Sequence, residues 1–303
     1  MRVDADCRAL ELRRRLEPFL APGQELSVVD GLPAAPFRKD TQGLRANAYY
    51  FGHPIWVKAW FDGVHRYPEL KDRWQAATET WDHKVVVDVG CGPGNLFATL
   101  GGQPKVLIGV DVSAGSLHWA KDVGYLPLLA DAHALPLRSQ FADVVALNGT
   151  IHHCDDMGEV IAEASRLVKP GGLLVADHDP LLPAYDLRGL GKALWDLRLP
   201  IYRLMRRGGH SPEGDEQTWA AETEIHHRPG DGVTANLFTD VLEPRGFTLK
   251  LYPHNHRVGA EVLNGKRGRA PFSMRVAQRL SGIDPGSDTA ALSLLCVARR
   301  GAA

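Results

Sequence analysis

Through the middle of the chain, apolar residues come in short unbroken runs, each closed by a polar residue. Val85-Val86-Val87 leads into Asp88, and Val106-Leu107-Ile108-Gly109-Val110 leads into Asp111. Leu126 to Ala130 ends at Asp131, Val144-Val145-Ala146-Leu147 at Asn148, and Leu173-Leu174-Val175-Ala176 at Asp177. Unbroken runs of this length, rich in Val and Leu, suit strands buried on both faces of a parallel sheet. Helical stretches separate them; Ser113, for example, is placed as a helix N-cap. Strand and helix thus alternate from about residue 84 to 178, implying a parallel sheet with right-handed crossovers. Polar strand ends in such a sheet line one crevice, so Asn148, next to Gly149, is a candidate for it.

Outside that stretch the pattern changes. An amphipathic helix is expected from Cys7 to Leu20, then Pro-rich loops at Pro33 and Pro36. The densest aromatic run follows, from Asn47-Ala48-Tyr49-Tyr50-Phe51 to Trp56, Trp60 and Phe61. It reads either as a cap over the crevice or as a helix packed on the sheet edge. Beyond Asp179-Pro180, a helix is expected from Leu187 to Arg206, then a polar loop from Gly208 to Asp215. Thr234 should cap a helix ending near Glu243. Two further strands are expected at Gly246–Tyr252 and Ala291–Ala298.

The turn after the first of the buried runs, Asp88-Val89-Gly90-Cys91-Gly92-Pro93-Gly94-Asn95, is the most specific signal. Its glycines permit a tight turn and let a ligand press on bare backbone. A helix starting near Asn95 would aim unpaired N–H groups at that ligand. A dinucleotide fingerprint needs G-x-G-x-x-G, but Asn95 stands where the third glycine would be, which argues against a nicotinamide enzyme. Asp111 falls roughly 20 residues past the turn, where a carboxylate can accept from ribose hydroxyls.

The D-x-G-x-G-x-G pattern resembles motif I of the class I S-adenosylmethionine-dependent methyltransferases. The runs ending at Asp111, Asp131 and Asn148, and the segment Leu167–Asp177 with its Lys169-Pro170-Gly171-Gly172 turn, resemble the family in the same order. The resemblance implies an α/β, Rossmann-like, doubly wound sheet of seven strands. Their order would be 3-2-1-4-5-7-6, with strand 7 antiparallel. It implies a methyltransferase domain over 84–303, interrupted by insertions at about 180–233 and 253–290, with residues 1–83 as an N-terminal helical cap or extension. It implies S-adenosylmethionine as cofactor, held by Asp88, Gly90, Cys91, Gly92, Gly94, Asn95, Asp111, Val112, Asp131, Ala132 and Asn148. An acid at Asp131 would face the adenine amino group.

Composition narrows the picture. The 303 residues carry a formal net charge of -1 and are 44% hydrophobic. That is enough apolar content for a sizeable core, and no global field draws the chain to nucleic acid or anionic lipid. No apolar run has the length of a membrane span, and the first residues lack an apolar signal core, so a cytoplasmic setting is the default expectation. Cys7, Cys91, Cys154 and Cys296 are scattered without zinc-type spacing, and no metal is expected.

Methyl transfer from a sulfonium is a direct displacement, so alignment and exclusion of water are the main tasks. A base is needed only where the acceptor must lose a proton. His152 and His153 are the candidates, because imidazole titrates near neutrality. In similar small-molecule enzymes the paired histidines line the cofactor's methionine portion, and that alternative stays open. Asp155 is expected to cap the helix that follows. Tyr49 and Tyr50, whose rings could face a sulfonium, and His178, His226 and His227 are candidates for the substrate pocket. His226 and His227 with Glu222 and Glu224, and the pair His254 and His256, invite a metal reading, but no H-E-x-x-H spacing occurs. The expected activity is transfer of a methyl group to an O, N or C atom of a small molecule, a natural product or apolar metabolite. The alternatives are an RNA or protein methyltransferase, or a non-catalytic binder of the cofactor. Asn148-Gly149-Thr150-Ile151 lacks the Asn/Asp-Pro-Pro-aromatic run of amino-methylating nucleic-acid enzymes.

Overall fold

The computed structural model describes residues 2–63, 66–197, 222–223 and 232–302. His226, His227, the polar loop 208–215 and the end of the helix expected from Leu187 lie outside them. The chain opens with α1 (Arg2–Leu16), the hairpin β1 (Ser27–Val29) and β2 (Leu32–Ala34), and three helices, α2 (Gln42–Gly52), α3 (Pro54–Gly63) and α4 (Pro68–Thr78). Then come β3 (Val85–Val89), α5 (Asn95–Leu100), β4 (Val106–Asp111), α6 (Ala114–Val123), β5 (Leu126–Leu129), β6 (Ala142–Asn148), α7 (Met157–Leu167) and β7 (Val168–Asp177). The remainder comprises α8 (Leu182–Tyr185), α9 (Gly189–Asp196), α10 (Ala235–Leu242), β8 (Phe247–His254), α11 (Phe272–Leu280) and β9 (Ser293–Arg300).

These strands form one sheet in the order β1-β2-β5-β4-β3-β6-β7-β9-β8. From β5 to β7 all neighbours are parallel, and β9 runs antiparallel to both β7 and β8. This is the seven-strand order expected from the sequence, with an added hairpin on the β5 side. The runs are unbroken because both faces of the sheet are covered. Val87 and Val89 of β3 pack with Leu16 of α1, Val160 and Ile161 of α7 and Phe238 of α10. Val86 packs on the other face with Leu70 and Trp74 of α4 and Leu117 of α6.

The hairpin corrects the expectation of loops around Pro33. Pro33 has no N–H to donate, which reads as a breaker, yet Leu32 and Ala34 beside it are buried. Strand β2 meets β5 at the single pair Ala34↔Leu129, so the ladder tolerates the missing donor.

The aromatic run forms α2 and α3, and three contacts fix them over the crevice. A Cβ on Gly115 would stand 2.2 Å from the Gly52 carbonyl oxygen, so α2 can approach α6 this closely only through two glycines. Ser116 Oγ donates to the Phe51 carbonyl at 2.8 Å. At the other end, Asn95 Nδ2 donates to the Trp60 carbonyl at 2.7 Å, tying α3 to the glycine turn. Among the described residues no helix is long and apolar enough to cross a membrane.

Candidate active site

A cavity of about 390 Å3 opens at the carboxyl ends of β3 to β7, under α2 and α3. Its floor is the glycine turn. Gly90 and Gly92 take left-handed φ of 71° and 53°, and a Cβ on Gly90 would lie 2.2 Å from the Thr150 side chain. Cys91, Asn95, Val112, Ala132 and Asn148 join Gly90 and Gly92 in the wall. Gly94 does not line it: as N-cap of α5, with φ 91°, it backs onto Tyr125 and Ala120. Burial pushes the Cys91 thiol well up, so this residue is wall and not nucleophile.

Three strand-end acids differ in their surroundings. Asp111 grips the turn: Oδ2 accepts from the Gly92 amide and Oδ1 from the Ser113 amide, both at 2.8 Å. Burial raises its pKa against these bonds. Each oxygen keeps a further lone pair for a ligand hydroxyl. Asp131 Oδ1 accepts from His133 Nδ1 at 2.6 Å and from the His133 amide at 3.0 Å. Burial would raise its pKa, but those bonds outweigh it and hold the carboxyl below its usual value.

Asp88 is almost fully buried and accepts from the Tyr125 hydroxyl at 2.6 Å, not from the glycine turn as a cap would. Burial pushes its carboxyl up to about 7. A carboxyl raised on folding stabilises the fold while protonated, and that contribution fades as pH climbs from the unfolded value near 4 through 7. Asp88→Asn, which keeps the shape without the charge, should therefore gain stability relative to wild type between pH 5 and pH 8. Urea melts at the two pH values check this; an unchanged difference contradicts it.

The cap contributes Leu44, Asn47, Phe51 and Trp60 to the cavity. Positions 44, 47 and 51 share one helix face, whereas Tyr50 lies on the face turned into the protein, with Ala46. Tyr50 packs edge-on to Phe51 and Trp60 at 5.5 and 6.0 Å, and Tyr49 is 47% exposed. Neither tyrosine lines the cavity, which corrects the expected aromatic wall by one helical register. Phe51 and Trp60 hold that place.

On the opposite side stand His152, His153, His178, Tyr185 and His256. His152 is anchored twice to Asp179: its amide donates to Oδ1 at 3.0 Å and its Nδ1 lies 2.8 Å from the same oxygen. Burial raises Asp179 to about 7. His153 Nδ1 lies 2.6 Å from the Thr223 carbonyl, and its own carbonyl accepts from Asn47 Nδ2 at 3.0 Å. Asp155 does not cap α7. Asp156 does, accepting from the Glu159 amide at 2.9 Å, while Asp155 accepts from Thr41 Oγ1 at 2.5 Å and fastens the start of α2. Among the described residues no group of three His, Cys, Asp or Glu is placed to hold a metal ion.

Two contributors were missed in the sequence, Asp179 behind His152 and Tyr125 behind Asp88, while His256, singled out there only with His254 as a metal-type pair, lines the cavity. The only hint was the spacing Asp177-His178-Asp179 at a strand end.

Comparisons with known proteins agree with this geometry. A family described as a methyltransferase domain, Methyltransf_11, matches residues 87–176. The ubiquinone biosynthesis O-methyltransferase of Thiobacillus denitrificans is 33% identical over 195 residues, covering 60% of this chain and 81% of that protein. The malonyl-[acyl-carrier protein] O-methyltransferase of Yersinia pestis is 33% identical over 93 residues, 30% of this chain and 35% of that one. Among solved structures, the [4+2]-cyclase SpnF aligns with TM-score 0.52 at 16% identity, covering 89% of this chain and 98% of that one. That last likeness speaks for the fold alone.

The chain belongs to the class I S-adenosylmethionine-dependent methyltransferases. It is an enzyme of methyl transfer, and S-adenosylmethionine is its cofactor. The residues present fit that molecule: a glycine floor with no side chains to hold a ligand off the backbone, and an acid with open lone pairs one strand over.

Proposed function

We propose that this enzyme methylates a hydroxyl oxygen of a small acceptor, with His152 as general base. One observation carries the reading: Asp179 takes the Nδ1 side of His152, which leaves Nε2 as the basic nitrogen of a ring on the cavity wall. When bound, S-adenosylmethionine supplies a methyl group on a positively charged sulfur whose neutral thioether leaves. His152 Nε2 receives the hydroxyl proton as the C–O bond forms, and the Asp179 carboxylate offsets the charge on the resulting imidazolium. Both relatives named above are O-methyltransferases, which supports an oxygen acceptor. A cavity of about 390 Å3 and a formal net charge of -1 favour a small molecule over RNA.

Asp111, with Asp131 beside it, is assigned to the adenosyl portion. Asp111→Ala should weaken S-adenosylhomocysteine binding by about 1.5–3 kcal/mol, the range for losing charge-assisted bonds. Calorimetry reads this directly, and unchanged affinity contradicts the assignment.

The acceptor atom is tested by incubating the enzyme with isotopically labelled cofactor and a set of phenols, amines and carbon acids. Label recovered as methyl ethers supports the reading. Label confined to nitrogen or carbon products overturns it.

A further inference from the structure

Beside the His152 wall, the cavity has a second polar region built at the joint of β7 and β8. Its centre is Asp177, fully buried. Asp177 Oδ2 accepts from Arg73 Nε at 2.8 Å, and Oδ1 accepts from His254 Nε2 and from the His178 amide, both at 2.7 Å. Arg73 is itself fully buried, and Nη1 donates to the carbonyls of His256 at 3.0 Å and Val258 at 2.5 Å.

The donors fix the tautomer of His254. The His256 amide donates to His254 Nδ1 at 3.1 Å, so the proton of His254 sits on Nε2, facing Asp177. Arg73 Nη2 approaches His178 Nδ1 at 3.3 Å, and a guanidinium only donates. His178 Nδ1 also lies 3.4 Å from Asp177 Oδ2, and His178 Nε2 bonds the Tyr67 hydroxyl.

The hydrogen bonds of His256 within the described residues run through its backbone. Its amide and carbonyl are both engaged, and φ is 63°, a conformation that costs a non-glycine residue energy. Its ring lines the cavity 4.8 Å from the His178 ring, yet its Nδ1 is buried without a hydrogen-bond partner among the described residues. Buried polar atoms of this kind are rare in proteins, and a strained, unsatisfied one in a cavity wall calls for a ligand group.

We propose that His256 is a specificity-determining residue that binds a second, uncharged oxygen function of the acceptor, a hydroxyl or carbonyl distinct from the oxygen that is methylated. This rests on the oxygen-acceptor reading above. The charges nearby exclude other partners. Arg73 is committed to Asp177 and the two carbonyls, so it offers nothing to a carboxylate. Both Asp177 oxygens are taken, so that acid offers nothing to an ammonium group. Burial drives His256 well below the ordinary imidazole pKa and keeps the ring neutral. A neutral imidazole donates from one nitrogen and accepts at the other, which suits a hydroxyl or carbonyl.

The test uses phenol, 1,2-dihydroxybenzene and 1,3-dihydroxybenzene, titrated calorimetrically into full-length enzyme saturated with S-adenosylhomocysteine. At least one dihydroxybenzene should bind wild type about tenfold tighter than phenol, the loss expected when one buried hydrogen bond is missing. His256→Gly, which accepts φ 63° without strain, should erase that preference while S-adenosylhomocysteine still binds as in wild type. His256→Asn, which also tolerates this backbone and keeps a donor and an acceptor, should restore part of it. The proposal is overturned if wild type shows no preference, if none of the three compounds binds, or if the preference survives in His256→Gly. Parallel samples with labelled cofactor separate this from the underlying reading: bound phenols that never become methyl ethers count against the oxygen acceptor, whatever His256 does.

Discussion

Replacing His152 by Ala should lower kcat on the hydroxyl acceptor by about a hundred- to ten-thousand-fold, the contribution of a positioned general base. S-adenosylhomocysteine affinity should not change, because the imidazole acts on the acceptor proton. Asp179→Asn should give a smaller loss: the amide oxygen can still orient Nδ1–H, but it cannot neutralise the imidazolium. His153→Gln serves as a comparison. His153 lies 3.8 Å from His152, ring to ring, and its Nδ1 is tied to a carbonyl with no acid behind it. Single-turnover rates with labelled cofactor distinguish the two histidines. A His152→Ala enzyme with full rate, or a larger loss in His153→Gln, removes His152 from the base role.

Arg73→Met should destabilise the fold by about 3–5 kcal/mol, the cost of leaving one member of a buried ion pair without its partner. Burial alone would raise the Asp177 carboxyl; Arg73, helped by His254 and His178, outweighs that and holds it well below the usual carboxylate range. A depressed carboxyl contributes stability above its unfolded pKa and loses it as pH falls towards the folded one. Wild type should therefore weaken as the solution is acidified below about pH 4. The Arg73→Met protein, with that attraction removed, should weaken less over the same span. Equilibrium urea denaturation at neutral and acid pH measures both effects. A loss below about 1 kcal/mol at neutral pH would mean that Arg73 adds no more than an ordinary surface contact.

What the sequence disclosed and what it hid divide along a physical line. Strands buried on both faces write themselves as unbroken apolar runs, so β3 to β7 could be read almost to the residue. The glycine turn was legible because few other residues accept the left-handed φ of Gly90 and Gly92. Thr234 was legible as a cap because its hydroxyl acts locally, accepting from the Leu237 amide at 3.1 Å. Errors of one residue arose where neighbours are chemically alike: Asp155 for Asp156, and Tyr49 and Tyr50 for Phe51. The polar frame around Asp177 left only fragments, His178 at the strand end and the pair His254 and His256, with nothing local to join them to one another or to Arg73. Arg73 lies 104 positions from Asp177, and His254 lies 77 positions beyond it. Only the packing of α4 and β8 against the end of β7 brings them together.

The short hairpin in front of β5 has a practical consequence. Without it, the edge Leu126-Pro127-Leu128-Leu129 would stand open, an invitation to pairing between copies. The hairpin moves the free edge out to three solvent-exposed residues, too short to template much growth. A boundary drawn at residue 84, just ahead of the family match at residue 87, strips that guard away. Material trimmed there for expression should be prone to precipitate even with every residue of the cofactor floor in place.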